Sequence, residues 1–484
     1  MKGGILCLEK NNSMKGFILL VFSMLSIQIT LGQKYFMGIP EGRDSLYDLT
    51  DKKAMLNAAN YRDVGSSASL KQYAPFAGDQ GDYGTCAAWA TTYCARTILE
   101  SIANDETDKT VITNSAYAPG FVYRLASDEK DCSGSFTTDC AEQMKQYGVP
   151  KLSEFDEPCP YDLPSELFNL AEEHKIKAYA KLWNDNEKSQ TISDKEKIQL
   201  VKKSISEKYP VVISIICPNS FHQPIEGLWV PTEGLDSEIN HPHGRHALCV
   251  VGYDDEKYGG AFEIQNSWGT VWGNNGCVWI KYSDFAKFTY QAIEMIGFEN
   301  YLNQASILSG GLKFLLSDSE FVGATYQENG TYKLNKSISS GERFRLYLNS
   351  SAPSFLYSIN IDSKGEIDKI FPFQEGISPI LNYKNNDVAI PSEDKQMRMD
   401  GEIGKEYLCL IYSKKALDFE GLISKIKYQN KNKTVYQKFQ ECFGENLITY
   451  DKINFNKQSK EIKFSATTEL NDVVVVIIEI GHVD

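Results

Sequence analysis

Residues 80–86, Gln80-Gly81-Asp82-Tyr83-Gly84-Thr85-Cys86, run from a glycine-punctuated loop straight into the apolar stretch 86–102, CAAWATTYCARTILESI. The glycines interrupt regular structure, and the run that follows predicts a largely buried helix. A thiol on the first turn of a helix meets the positive end of the helix dipole and N–H groups with no partner inside the helix. Both lower its pKa and would make Cys86 a thiolate nucleophile. The same place suits an oxyanion hole, with the N–H of Cys86 as one donor and the Gln80 side-chain amide as the second. The plainer reading is a cysteine packed into an Ala-rich helix. The rest of the chain decides between them.

His246 opens the strand-like run HALCVVGYDD, and Asn266 closes AFEIQN. Residues 254–260 between them are polar and carry paired glycines, so they turn the chain. An antiparallel hairpin folded near residue 256 would set His246 and Asn266 side by side. An imidazole there takes the thiol proton and returns it to the leaving amine. The Asn oxygen accepts from the other ring N–H and fixes the tautomer without adding charge.

Three blocks, Gln80-x5-Cys86, Gly244-Arg245-His246-Ala247 with Val250-Val251-Gly252-Tyr253, and Gln265-Asn266-Ser267-Trp268-Gly269-x2-Trp272-Gly273, resemble the signature blocks of papain-like cysteine peptidases, in the same order. The resemblance covers roughly residues 70–300. It implies an α+β, two-lobed fold, with a helical lobe carrying Cys86, a β-barrel-like lobe carrying His246 and Asn266, and the substrate cleft between them. It also implies Gln80 as oxyanion donor and Trp268 as the ring shielding the His–Asn bond. Trp272 would line the leaving-group side, and Arg245 would lie near the specificity pocket. Gly134, in Cys132-Ser133-Gly134-Ser135, would pair with substrate backbone. The sequence departs from the family pattern in having Ala87 after the nucleophile, Tyr83 three residues before it, and Ser135 in place of a second glycine. The segment SLKQYAPFAGDQG resembles the compact entry of bacterial members.

Upstream, residues 16–29 form an uncharged apolar run after Lys15, ending in Thr30-Leu31-Gly32. Residues 1–32 therefore read as a signal peptide, with Met14 an alternative start, and the protein as secreted or held in the periplasm or cell envelope. Residues 33–75 are polar and mixed. They are too short for the long inhibitory propeptide of many relatives, so activity directly after export is the expectation. The peptidase domain is expected at 76–300.

Beyond residue 305 the pattern alternates, as in Phe344, Leu346 and Leu348 against Arg343, Arg345 and Tyr347. A β-rich, sandwich-like domain is expected at 310–484, with a turn at 362–365 and either an insertion or a helix at 424–446. It resembles an accessory domain of uncharacterised function attached to bacterial peptidases. Tyr357 and Phe371 would offer it an exposed aromatic surface if they are not core. A cell-envelope or protein partner is one reading of that domain.

The 484 residues are 42% hydrophobic and 24% charged, an ordinary globular composition. A net charge of −14 without a basic stripe argues against nucleic acid. His241, His243 and His246 cluster, but His246 is better used as a base, so neither metal nor cofactor is called for. The eleven cysteines cannot all pair. Cys140 with Cys159 is the first expected disulfide and Cys132 with another partner the second. Cys249 or Cys409 reads as a further buried free thiol, and Cys94, on the Cys86 helix, reads as buried. The sequence thus points to an exported cysteine peptidase acting on peptides or proteins. Two other readings remain open: a catalytically silent binding protein of the same fold, and an acyl transferase or amidase using the same Cys–His pair.

Overall fold

The computed structural model describes residues 35–484 apart from 42–43, 55–63, 129, 186–191, 224, 233–243, 298–305, 317–319, 328, 383–385, 431 and 469–471. The signal-like segment 1–32, His241 and His243 lie outside the described residues. Among those described, no helix is long and apolar enough to cross a membrane.

The helix that starts at Cys86 runs in three parts, an α turn Cys86–Ala88, a π-helical stretch Trp89–Arg96 and an α segment Thr97–Ala103. Within it the Thr91 hydroxyl donates to the Ala87 carbonyl at 2.7 Å. A side chain bonding back to the preceding turn loosens the usual ladder, and π stretches of this kind cluster at functional sites. Residues 84–99 are all buried, so the helix forms the centre of its lobe rather than a surface stripe. Around it pack Pro119–Ala126 and Thr137–Gln146.

The second lobe is one sheet. In chain order its strands are β1 (Ser67–Ser69), β2 (Ala178–Asn184), β3 (Val211–Cys217), β4 (Leu228–Trp229), β5 (Gly244–Asp254), β6 (Ala261–Gln265), β7 (Cys277–Lys281) and β8 (Thr289–Ile296). They lie in the order β2-β8-β3-β5-β6-β7-β4, with β1 on β5. The amphipathic helix Asp194–Ser206 begins in a capping box between Ser193 and Glu196. The expected hairpin exists as β5–β6, but a bulge between Val250 and Gly252 shifts its register, and Cys249 faces Gln265. Asn266 therefore lies just past the strand end.

Residues 306–484 form two sheets, of seven and nine strands among the described residues. Phe344, Leu346 and Leu348 are buried, as their alternation requires. The sheets pack face to face: Tyr412 of one donates to the Asn349 carbonyl of the other at 3.0 Å and covers Phe464. The turn at 362–365 closes through Gly365 N–H to Asp362 O, with Gly365 at φ 85°.

The Lys-, Asn- and Gln-rich stretch gives two helices, Phe419–Lys427 and Val435–Phe443. Their Leu422, Ile426 and Phe439 cover the outer face of the nine-stranded sheet. Tyr357 and Phe371 are core residues, 3% and 0% exposed, which removes them as a binding surface. Ala178 and Ile296 of the first sheet join the same apolar cluster, so the two regions share a core.

The disulfide is Cys132–Cys159 rather than Cys140–Cys159. Cys140 points inward from its helix and is fully buried against the Ser135 hydroxyl, where Cys159 cannot reach it. Cys249 and Cys409 are both buried free thiols, and Cys94 is buried as expected and also free.

Candidate active site

Cys86 begins its helix, and its sulfur accepts from the Ala247 N–H at 3.4 Å, one residue past His246. His246 Nε2 meets Asn266 Oδ1 at 2.7 Å. That leaves Nδ1, on the ring's other edge, buried and without a hydrogen bond. Asn266 is held in turn by its own N–H on Gly276 O, while its side-chain oxygen also accepts from Ser267 N–H. Trp268 stacks on the imidazole at 4.5 Å and 22°, keeping water from the His–Asn bond. The Gln80 side chain is anchored through Oε1, which accepts from Ser267 Oγ at 2.6 Å, and its Nε2 donates to the Tyr83 carbonyl at 2.7 Å.

The cleft is filled by the chain itself. The Phe36 carbonyl accepts from Gln80 Nε2 at 3.2 Å and from Trp268 Nε1 at 3.1 Å. The Gly38 carbonyl accepts from Ser135 N–H at 2.8 Å, and Ile39 N–H donates to the Arg245 carbonyl at 3.4 Å. A Cβ on Gly38 would stand 1.7 Å from Gly84 O, so only glycine passes there. Likewise a Cβ on Gly244 would meet the end of the Met37 side chain at 2.0 Å.

Burial dominates the electrostatics of the site. Burial pushes the Cys86 thiol up to about 11, against the pull of the backbone N–H groups of Ala247, Gly38 and the helix start. Burial also takes His246 down to about 3, against the Asn266 bond. The thiolate expected at a helix N-terminus is therefore suppressed by burial, although the Gly38 N–H of the covering segment favours it.

The other expected site residues divide. At the Cys132–Ser135 element the N–H that pairs with the covering segment is Ser135's. Gly134 exchanges its polar groups with Tyr123 OH, and its role is to let Gly38 O approach. Arg245 contributes its carbonyl, while its guanidinium lies over the Tyr290 ring. Trp272 is 2% exposed, packed on Phe221 and Trp268 with its N–H on Phe221 O, a supporting aromatic beneath the site.

His222 is half-buried with its ring 5.1 Å from Trp268. One feature escaped the sequence reading. The covering segment was visible only as an apolar patch, Phe36-Met37-Gly38-Ile39-Pro40, inside a polar stretch.

A family model described as papain family cysteine protease matches residues 69–295, and one described as a domain of unknown function (DUF4384) matches 337–416. Mouse cathepsin K is 24% identical over 241 residues, covering 48% of this chain and 62% of its own length. Chicken cathepsin K is 26% identical over 208 residues, covering 41% and 53%. The chain thus spans somewhat over half the length of these relatives. Among solved structures, xylellain, a cysteine protease from Xylella fastidiosa, aligns with TM-score 0.43 and 20% identity over 54% of this chain and 96% of its own. The family model falls on the residues that carry the Cys86, His246 and Asn266 blocks, so residues 69–295 match a papain family cysteine protease domain.

Proposed function

We propose that the protein is an exported cysteine peptidase that hydrolyses peptide bonds through a thioester on Cys86, and that the covered conformation is its latent form. The observation that carries this reading is the His246 ring. Asn266 holds it at Nε2, Nδ1 is buried and unbonded, and the N–H of the next residue, Ala247, donates to the Cys86 sulfur at 3.4 Å. Once residues 36–39 leave, water and substrate reach the thiol. His246 Nδ1 then takes its proton, and the sulfur attacks the scissile carbonyl carbon. Gln80 Nε2 and the Cys86 N–H receive the oxyanion. His246 gives the proton to the leaving amine, and it next activates the water that cleaves the thioester. The donors that now hold the Phe36 carbonyl support that assignment of Gln80.

Profiling a peptide library by mass spectrometry with wild type and Cys86→Ala tests the reading. Cleavage that disappears in Cys86→Ala is expected. No cleavage and no labelling of Cys86 by a thiol-reactive peptide, even with the cover displaced by Gly38→Ala, refutes it. Transfer onto amines without hydrolysis would place the chain among acyl transferases. Export predicts a mature N-terminus near Gln33, readable by N-terminal sequencing of secreted protein.

A further inference from the structure

The residues that follow the cleft segment are fastened on two sides. Asp44 caps the helix Ser45–Leu49, and its carboxylate accepts from Thr138 Oγ1 at 2.8 and 2.9 Å. Tyr47 is fully buried, with its hydroxyl on the Ala292 carbonyl at 2.7 Å. Asp51 O and Lys53 N–H then pair with Lys181 on the edge strand β2, at 3.1 and 3.0 Å. The residue between them, Lys52, faces the other way. Its N–H donates to Gly376 O at 2.6 Å, and its carbonyl accepts from Ser378 N–H at 2.9 Å.

Residues 51–53 therefore act as a short strand stitched between the peptidase sheet and the β-rich domain. Beside it, Lys53 and Asn382 both bond the buried Glu294 carboxylate. All three side chains are almost wholly enclosed. Gly376, Ser378 and Asn382 belong to the region matched as a domain of unknown function.

We infer that this domain serves as the clasp of the cleft segment: through Gly376, Ser378 and Asn382 it holds residues 51–53, and so keeps residues 36–39 over Cys86. The inference rests on the proposed reading of Cys86 as a nucleophile. A cover held by four hydrogen bonds is weak as a free peptide. Tethering it to a fixed point twelve residues beyond Ile39 turns its binding into an intramolecular event, with an effective concentration in the millimolar range. Loosening the fixed point lowers that concentration and opens the cleft. The domain thus contributes to latency from a distance, without touching the catalytic groups.

The test uses the full chain and the rate at which an irreversible thiol-reactive peptide labels Cys86. Ser378→Pro removes the N–H that holds Lys52 O, and Asn382→Ala removes one donor to Glu294. Each should speed labelling roughly tenfold, the effect of about one lost hydrogen bond, and should speed deuterium exchange at the Ile39 amide. Thermal unfolding reports whether each variant folds, and Asn382→Ala carries the test if Ser378→Pro does not. Gly38→Ala, which displaces the cover directly, is the reference. Faster labelling in the reference but not in a folded clasp variant overturns the clasp and leaves the peptidase reading standing. No labelling in any variant, the reference included, overturns both.

Discussion

Replacing Gly38 by alanine is the sharpest test of the covered cleft. The new Cβ would lie 1.7 Å from Gly84 O and 2.1 Å from its carbonyl carbon, well inside contact distance. Gly84 cannot retreat, because its N–H is held by Cys132 O at 2.7 Å and its Cα faces the Ser133 carbonyl. The covering segment must therefore lift. What it forfeits is four hydrogen bonds: two to the Phe36 carbonyl, one to Gly38 O and one from Ile39 N–H. At roughly 0.5–1.5 kcal/mol each they hold the cover by about 2–6 kcal/mol, a ~30-fold to ~10⁴-fold occlusion of Cys86. Gly38→Ala should accordingly be labelled at least ~30 times faster than wild type by a thiol-reactive peptide at neutral pH. Mass spectrometry would locate the adduct, and Gly38→Ala combined with Cys86→Ala should take none. A rate within about threefold of wild type, well below that range, would show that the segment does not govern access to the thiol.

Four further outcomes follow from the same geometry. Once the cover is displaced, Asn266→Ala should lower kcat/KM by about 10²-fold or more, because His246 loses the acceptor that orients it; an unchanged value removes Asn266 from the mechanism. Gln80→Ala in the same background should cost kcat about 10²–10³-fold if its Nε2 receives the oxyanion, whereas a change confined to KM would point to a binding role. His246 is depressed to about 3 under the cover. A depressed base is stable in its neutral form above its ordinary pKa and loses that stability as pH falls through the window from about 6.5 toward 3. In Cys86→Ala, Ile39 amide protection, corrected for intrinsic exchange, should thus fall by up to tenfold per pH unit below about 6.5; a flat profile to pH 4 contradicts the linkage. Cys159→Ser opens a bridge of sequence separation 27 and should lower unfolding free energy in urea by about 3 kcal/mol, while an unchanged midpoint would mean that the loop is held by its packing alone.

Where structure is set by residues near one another in sequence, the chain declares itself. Gly81 and Gly84 followed by an apolar run announce a helix starting at Cys86, and the glycine-bearing turn at 254–260 announces the hairpin that approximates His246 and Asn266. The Ser193/Glu196 capping box and the alternation of Phe344, Leu346 and Leu348 are equally local, because helix caps and strand pleats repeat within a few residues. Register was less legible. The bulge at Val250/Gly252 moves the pairing, and the backbone gives no local sign of it.

Tertiary structure alone decided what depends on contacts between distant residues. Cys132 takes Cys159 because Cys140 is turned into the core, a matter of which helix face packs inward. Tyr357 and Phe371 alternate as exposed residues could, yet helices Phe419–Lys427 and Val435–Phe443 pack over Tyr357 and Phe371 is wholly buried. The odd cysteine count already required a free thiol. That Cys86 is held protonated follows instead from its full burial in the assembled site, across which residues 36–39, some fifty positions upstream, also lie. Burial is a property of the assembled chain, and here it reverses the pKa shift that the helix start alone would produce.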